Sequence, residues 1–453
     1  MNIKFRLTVM SFLQLFVWGA WLITIGTYCL NAKGWTFPEF GAIFSTLAIA
    51  SIFMPPIIGI IADKWMNAEK LYGILHILYG LVLFYVPFVD DPNTLYYVIL
   101  VAMIFYMPTI SLSNSTSYII LKNFDYDVVK VFPPIRVWGT IGFIVAMWIT
   151  NLTGSKANAN QFIIGGVGAI ILGLYAFTLP KCPPLKSIGK NSSWTEQLGL
   201  NAFKLFTNYK MALFFVFSMF LGAALQLTNM YGDSYISSFE KIDKYKLIID
   251  SFEKNILVHL NQLNNFWDKL SYFFQHLSEF YPALIIKYST VIMSISQISE
   301  TLFILTIPFF LKKFGIKKVM LFSMLAWVLR FGLFAYGDPA GGLWMIILSC
   351  IVYGMAFDFF NISGSLFIET STDAKIRSSA QGMFMMMTNG FGAYLGSIVS
   401  SYLIGKYFIL PNHATNWTAT WLAFAIYAFI VGILFLVLFK HKHDPKVVEQ
   451  YAH

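Results

Sequence analysis

The chain has 453 residues, of which 57% are hydrophobic and only 12% charged, and its mean hydropathy is +0.66. So few charges cannot clothe a water-exposed surface, which excludes an ordinary soluble domain. The net charge of +9 does not read as a nucleic-acid footprint, because the Lys and Arg residues gather in short loops between apolar runs and act there as topogenic signals.

Apolar runs able to cross a bilayer, at ~20 residues each, fall near 7–30, 38–62, 70–89, 95–121, 134–153, 160–180, 210–234, 287–311, 318–337, 342–368, 378–405 and 416–439. All are expected to be helices, because lipid-exposed backbone must satisfy its own hydrogen bonds. The N-terminus has a basic start, a long apolar run and no small-x-small cleavage site, so it reads as a first span and not a removed signal. Lys4, Arg6, Lys64, Lys70, Lys122, Lys130, Lys312, Lys313, Lys317, Lys318, Lys375, Arg377, Lys440 and Lys442 flank the spans on one side. The other side carries little beyond Lys33, Lys156 and Lys406, with Asp90, Asp91 and Asp338. This asymmetry predicts both termini in the cytoplasm and an even number of spans.

The expected fold is an all-α polytopic membrane protein of twelve transmembrane helices in two pseudo-symmetric six-helix bundles, residues 1–180 and 210–440. The polar, Pro- and Ser-containing stretch 181–209 reads as a cytoplasmic linker, and 441–453 as a cytoplasmic tail. Internal similarity supports duplication: Tyr106 and Asn114 match the spacing of Tyr353 and Asn361, and Ile135, Arg136 and Phe143 match that of Ile376, Arg377 and Phe384. Residues 235–286 break the pattern as a long loop on the outer face. There Ile249, Phe252, Ile256, Leu260, Leu263, Trp267, Leu270, Phe274 and Leu277 recur every three or four residues, an amphipathic helical pattern expected to form a hairpin or to continue the seventh span. Such a segment either caps its own bundle or offers a partner or lid surface.

Arg136, Glu300 and Asp358 lie inside otherwise apolar runs. A charge at mid-bilayer costs about 2.5–3.5 kcal/mol on insertion scales, so each is expected to face a cavity or a partner. Polar and aromatic residues share helix faces with them. Arg136, Thr140 and Phe143 are spaced i, i+4, i+7; Gln226 and Asn229, like Gln297 and Glu300, are i, i+3; Tyr353 and Phe357 are i, i+4. Single intramembrane amides often serve only as glue between helices. Four such faces together, with charge among them, read instead as the lining of a wet chamber. Arg136 and Arg330 balance Glu300 and Asp358, so a strongly anionic ligand is disfavoured. A neutral, flat, hydroxylated molecule suits rings, amides and an acid. Gly139, Gly142, Gly390, Gly392 and Gly396 are placed to permit close helix contacts.

After the second span, GIIADK (Gly59, Asp63, Lys64) resembles the leading half of the major facilitator loop signature, and FFLKKFGIKK keeps only its basic trailing part. The alternative there is plain topogenic charge. The longer motifs SFLQLFVWGAW, FPPIRVWGTIGF, LQLTNM, SISQISETLFILTIPFFL, VYGMAFDFFNISGS and AQGMFMMMTNGFG resemble the bacterial nucleoside/proton symporter family of that superfamily, over nearly the whole chain. The 235–286 loop is longer than this family leads one to expect. The resemblance implies nucleoside uptake coupled to protons, with Arg136, Thr140, Phe143, Gln226, Asn229, Gln297, Glu300, Tyr353 and Phe357 lining the nucleoside site. It makes Asp358 important for proton coupling, alone or with Glu300. Gly59, Asp63 and Lys64 would serve gating, and no cofactor or metal is implied.

The expected partners are the nucleoside, protons and lipid, with one chain as the working unit and an inner-membrane location. The alternatives are a carrier of sugars or peptides, a membrane enzyme, and a receptor or scaffold docking through 235–286. Against an enzyme, the seven His are scattered and neither H-E-x-x-H, G-x-S-x-G nor a P-loop occurs. The three cysteines, Cys29, Cys182 and Cys350, have no metal-ligand spacing and imply no disulfide framework.

Overall fold

The structure, a computed structural model, describes residues 2–184, 200–263, 265–373 and 376–441. The middle of the linker, Lys375 and the tail from Lys442 onward lie outside the described residues. The described chain is helical apart from connections and one isolated bridge between Ile409 and Thr415.

Seven spans are single helices long and apolar enough to cross a membrane: span 2 (Phe37–Lys64), span 3 (Ala68–Leu83, with a short continuation), span 4 (Pro92–Asn123), span 5 (Val128–Leu152), span 7 (Tyr209–Ser238), span 10 (Leu343–Ser371) and span 12 (Trp417–Leu438). Their starts are written locally. Thr36 and Glu39 form a capping box before span 2, and Asp91 accepts from the Thr94 N–H before span 4, each followed by a proline in the first turn.

The other spans are short, broken or joined. Span 6 is Asn160–Ala176. Span 1 is helical over Ile3–Gly19, then turns, and ends in a π-turn at Thr27–Ala32. Span 8 comprises Ser289–Met293, Ile295–Ile304 and the first turns of Ile307–Tyr336. Span 9 is the rest of that element, and the two are hinged at Gly315, whose φ of 76° is open to glycine but strained for other residues. Span 11 comprises Arg377–Met385, a π-turn at Met386–Gly392 and Ala393–Tyr407. Unbroken runs were expected at 7–30, 287–311 and 378–405; the breaks are the correction. Gly26 precedes the π-turn of span 1, Ser294 and Thr306 sit at breaks in span 8, and Gly390 and Gly392 lie in the π-turn of span 11.

Packing repeats between halves. Span 1 packs on 5, 2 on 4 and 3 on 6; span 7 packs on 11, 8 on 10 and 9 on 12. Equivalent glycines make this closeness possible. A Cβ at Gly142 would lie 2.8 Å from the Phe12 carbonyl carbon, and one at Gly396 would lie 2.8 Å from the Ala223 Cα.

The insertion is a helical hairpin. Span 7 runs through 235–238, so the departure from the bundle begins later than expected. Tyr235 is buried there and donates to the Phe334 carbonyl at 2.7 Å. A first arm (Asp243–Ser251, a π-turn at Phe252–Leu257, Val258–Gln262) is followed by Phe266–Lys287, which leads back into span 8. Phe252, Ile256, Phe280 and Ala283 form its small core, and Glu253 pairs with Lys287 at 2.7 Å. Trp267 and Phe274, expected on the apolar face, are 69% and 63% exposed. The π-turn and the reversal after Gln262 shift the helical phase, so one stripe cannot stay on one face.

Among the described residues, every hydrogen bond between the two halves lies at the end of the bundle away from the termini. Asp233 of span 7, fully buried, accepts from Thr27 Oγ1 of span 1 at 2.5 Å and from Ser289 Oγ and Thr290 Oγ1 of span 8 at 2.7 Å each. Asn151 of span 5 donates to the Lys287 carbonyl at 2.9 Å and accepts from the Thr290 and Val291 N–H groups at 3.0 and 3.3 Å. Lys156 donates to Ser289 Oγ at 2.8 Å, the Ile286 carbonyl at 3.1 Å and Ser237 Oγ at 3.2 Å. Toward the termini, Ile60 of span 2, Trp65 just after it, and Met386 and Phe391 of span 11 line a groove of about 620 Å³.

Candidate functional site

Span 5 supplies Arg136, Thr140 and Phe143. Pro133 and Pro134 sit inside its helix one turn earlier and remove two backbone donors, which loosens the turn that presents Arg136. Exposure falls along this face: Arg136 is exposed, Thr140 half-buried and Phe143 buried. Arg136, expected to face a cavity or a partner, stands at the exposed end of this face. Phe143 meets Trp18 of span 1 edge-on, with ring centroids 6.5 Å apart, and Trp18 also tilts against Tyr106 at 5.5 Å. Gly19 permits this: a Cβ there would come 2.6 Å from the Phe143 carbonyl oxygen.

The second half supplies the rest. Gly354 of span 10 presses on the backbone of span 8, where a Cβ would lie 2.6 Å from Ser299 and 2.7 Å from the Glu300 nitrogen. Ser299 Oγ donates to the Ile351 carbonyl across the same contact. Glu300 and Tyr353 therefore flank one helix crossing. Tyr353 and Phe357 stack one turn apart, with centroids at 6.0 Å and planes 10° from parallel. Arg136 lies within electrostatic reach of both Glu300 and Asp358, and the two acids lie within reach of each other. Thr140, Gln226, Asn229, Gln297, Glu300 and Phe357 are each half-buried, as residues lining an internal space would be.

Several polar atoms around these residues are buried with no protein partner among the described residues: Gln226 Oε1, Gln297 Oε1, Asp358 Oδ2 and Trp18 Nε1. Buried polar groups are nearly always hydrogen-bonded, so unpartnered ones on residues expected to line one site leave room for a polar guest. They comprise two amide acceptors, a carboxyl oxygen and an indole donor, and Asp358 directly follows Phe357 of the ring stack.

At Gly59, read as part of the loop signature, a Cβ would meet nothing within 4 Å. Span 2 is not pressed against a neighbour at that point. Asp63 and Lys64 end the same helix, half-buried and exposed respectively. Arg377, the counterpart of Arg136, pairs with Glu369 at 2.7 Å at the start of span 11. Arg330 was set against the two acids but makes no ion pair with either among the described residues; its donors go to Thr228, Ser296 and the Ser349 carbonyl. Two residues escaped the sequence reading. Trp18 stands within SFLQLFVWGAW, but nothing in its spacing marks it. Asp233 is an acid in an apolar run, one residue before the expected end of the seventh span at 234, and was not singled out.

Residues 1–444 match the family described as nucleoside H+ symporter. The chain is 47% identical to nucleoside permease NupG of Escherichia coli over 444 residues, covering 98% of this chain and 97% of that one. It is 45% identical to the xanthosine permease of the same organism over 453 residues, covering 100% and 99%. The crystal structure of nucleoside transporter NupG superposes with a TM-score of 0.83 at 46% identity, covering 98% of this chain and 100% of that one. The twelve-span architecture is thus that of a major facilitator transporter, and the chain belongs to the nucleoside H+ symporter family.

Proposed function

We propose that the protein takes up nucleosides across the bacterial inner membrane, each with a proton, by alternating access between residues 1–180 and 210–440. Family membership and the full-length likeness to two permeases support the substrate class. The observation that carries the site is the set of unpartnered buried polar atoms on Gln226, Gln297 and Asp358, together with the Tyr353–Phe357 stack. The rings take the planar base. The amides of Gln226, Asn229 and Gln297 take its edge donors and acceptors. Glu300 takes ribose hydroxyls, and Arg136, Thr140 and Phe143 close the site from the opposite half. The protein acts as a carrier and not an enzyme. One chain is the working unit, because both halves of the site belong to it. The termini face the cytoplasm, so the hydrogen-bonded end is the outer one and this conformation opens inward. In this reading Gly59, Asp63 and Lys64 act at the inner gate, and the hairpin covers the outer end of its own half.

Asp358 carries the coupling proton, since Glu300 shares a face with Gln297 and is occupied by the nucleoside. One proton moving down 100 mV supplies about 2.3 kcal/mol, which at ~1.4 kcal/mol per tenfold sustains roughly fifty-fold accumulation. The test is uptake of uridine and adenosine into proteoliposomes under an imposed proton gradient. Concentrative uptake abolished by a protonophore is expected. Asp358→Asn should lose accumulation while retaining nucleoside binding and exchange. Full concentrative uptake by that variant would remove Asp358 from the coupling scheme, and absence of nucleoside uptake by the parent protein would overturn the function.

A further inference from the structure

Span 9 carries a cation that the scheme above does not use. Arg330 is fully buried and is the one charged residue between Val319 and Tyr336 of that helix. A buried charge is normally paired with an acid. Here the guanidinium is distributed over three neighbouring helices. Nη1 donates to the Ser349 carbonyl of span 10 at 2.6 Å, and Nε to Thr228 Oγ1 of span 7 at 3.3 Å. Both Nη atoms reach Ser296 Oγ of span 8 at 3.4 Å. Its central carbon lies 4.6 Å from the ring centroid of Tyr353 and 5.1 Å from that of Phe334. Ser349 Oγ donates back to the Arg330 carbonyl at 2.9 Å, fixing spans 9 and 10 together.

These contacts coincide with the proposed site. Thr228 immediately precedes Asn229, and Ser296 immediately precedes Gln297. Tyr353 is itself one of the proposed ring platforms. We infer that Arg330 is a positioning residue that fastens the three substrate-lining helices of the second half and the Tyr353 ring in one arrangement, and so sets nucleoside affinity without touching the nucleoside. The inference rests on the reading of the site given above. The planar guanidinium is required, because only it can stack on a ring and fork to several acceptors at once; an ammonium cannot do both.

The test compares Arg330→Lys, Arg330→Met and Tyr353→Ala for nucleoside Kd, transport KM and kcat, protons moved per nucleoside, and thermal unfolding in detergent. Arg330→Lys keeps the charge but should raise Kd and KM about tenfold, the scale of losing a desolvated cation–π contact. The proton ratio should stay unchanged. Arg330→Met should raise Kd at least as much, and combining it with Tyr353→Ala should add little to Tyr353→Ala alone. Unchanged affinity in Arg330→Lys with only a lower unfolding temperature would make Arg330 purely structural and overturn the inference. Where Arg330→Met does not fold, Ser296→Ala removes one anchor while leaving the cation; a weaker Kd supports positioning and an unchanged Kd opposes it. If Tyr353→Ala itself leaves nucleoside affinity unchanged, the failure lies with the site and not with Arg330.

Discussion

Two glutamines in apolar helices show how the same residue type takes opposite roles. Gln14 of span 1 is fully engaged: its Nε2 donates to Thr109 Oγ1 at 3.0 Å and its Oε1 accepts from Tyr72 at 2.5 Å. Gln297 leaves a buried carbonyl oxygen without a protein partner. Stranding partners of a satisfied buried amide costs about 1–3 kcal/mol. Gln14→Ala should therefore lower thermal stability in detergent and leave nucleoside affinity nearly intact. Gln297→Ala should do the reverse, weakening nucleoside binding by roughly ten- to a hundred-fold at little cost in stability. Paired unfolding and binding curves check this, and equal stability losses in both variants would show that Gln297 is only glue. No spacing or composition separates the two, since their partners come from other helices. Arg136 illustrates the same limit: its charge was evident, its exposure was not.

At the scale of the element, the apolar periods located most spans, while the interruptions within spans 1, 8 and 11 were not visible in composition. Two helical glycines allow a direct comparison. Gly142 faces the Phe12 backbone at a distance that excludes a Cβ, whereas Gly59 faces open space. Gly142→Ala forces spans 1 and 5 apart, an overpacking cost of about 1–3 kcal/mol. Gly59→Ala relieves the entropic penalty of helical glycine, a gain of about 0.5–1 kcal/mol. Unfolding temperatures in detergent should fall for the first and rise slightly for the second; destabilisation by Gly59→Ala would show a neighbour pressing on span 2 in another conformation. The hairpin makes a related point. Its helical period was legible from Ile249 onward, but the face it buries depends on a phase that the Phe252–Leu257 turn resets.

For the whole molecule, the polar clasp of Asp233, Asn151 and Lys156 decides which end is closed. Asn151 makes three of the hydrogen bonds between the halves. At ~0.6 kcal/mol per intramembrane hydrogen bond, their loss amounts to about 2 kcal/mol, or roughly a thirty-fold shift toward opening at that end. Asn151→Ala should accordingly speed alkylation of a cysteine introduced at Asn31 by a membrane-impermeant thiol reagent added on that side. The three native cysteines are buried and so contribute little background. An unchanged rate would show that the clasp does not hold the halves together. The groove toward the termini, with apolar walls, offers no comparable hydrogen bonds among the described residues. The two ends therefore differ in the kind of interaction to be broken when the halves rock.

Whatever follows from local chemistry against lipid was legible in the chain alone: helices, their number, and the residue types too polar to face hydrocarbon. Those depend on each segment's own backbone bonds and transfer energy, which need no neighbour. Only the tertiary structure decided which polar groups find partners, so that Gln14 and Asp233 are satisfied while Gln226, Gln297 and Asp358 keep unpartnered atoms. It alone showed Arg330 reaching three helices at once. Satisfaction of a buried group depends on distances of about 3 Å between residues far apart in the chain, and no helical period encodes those distances.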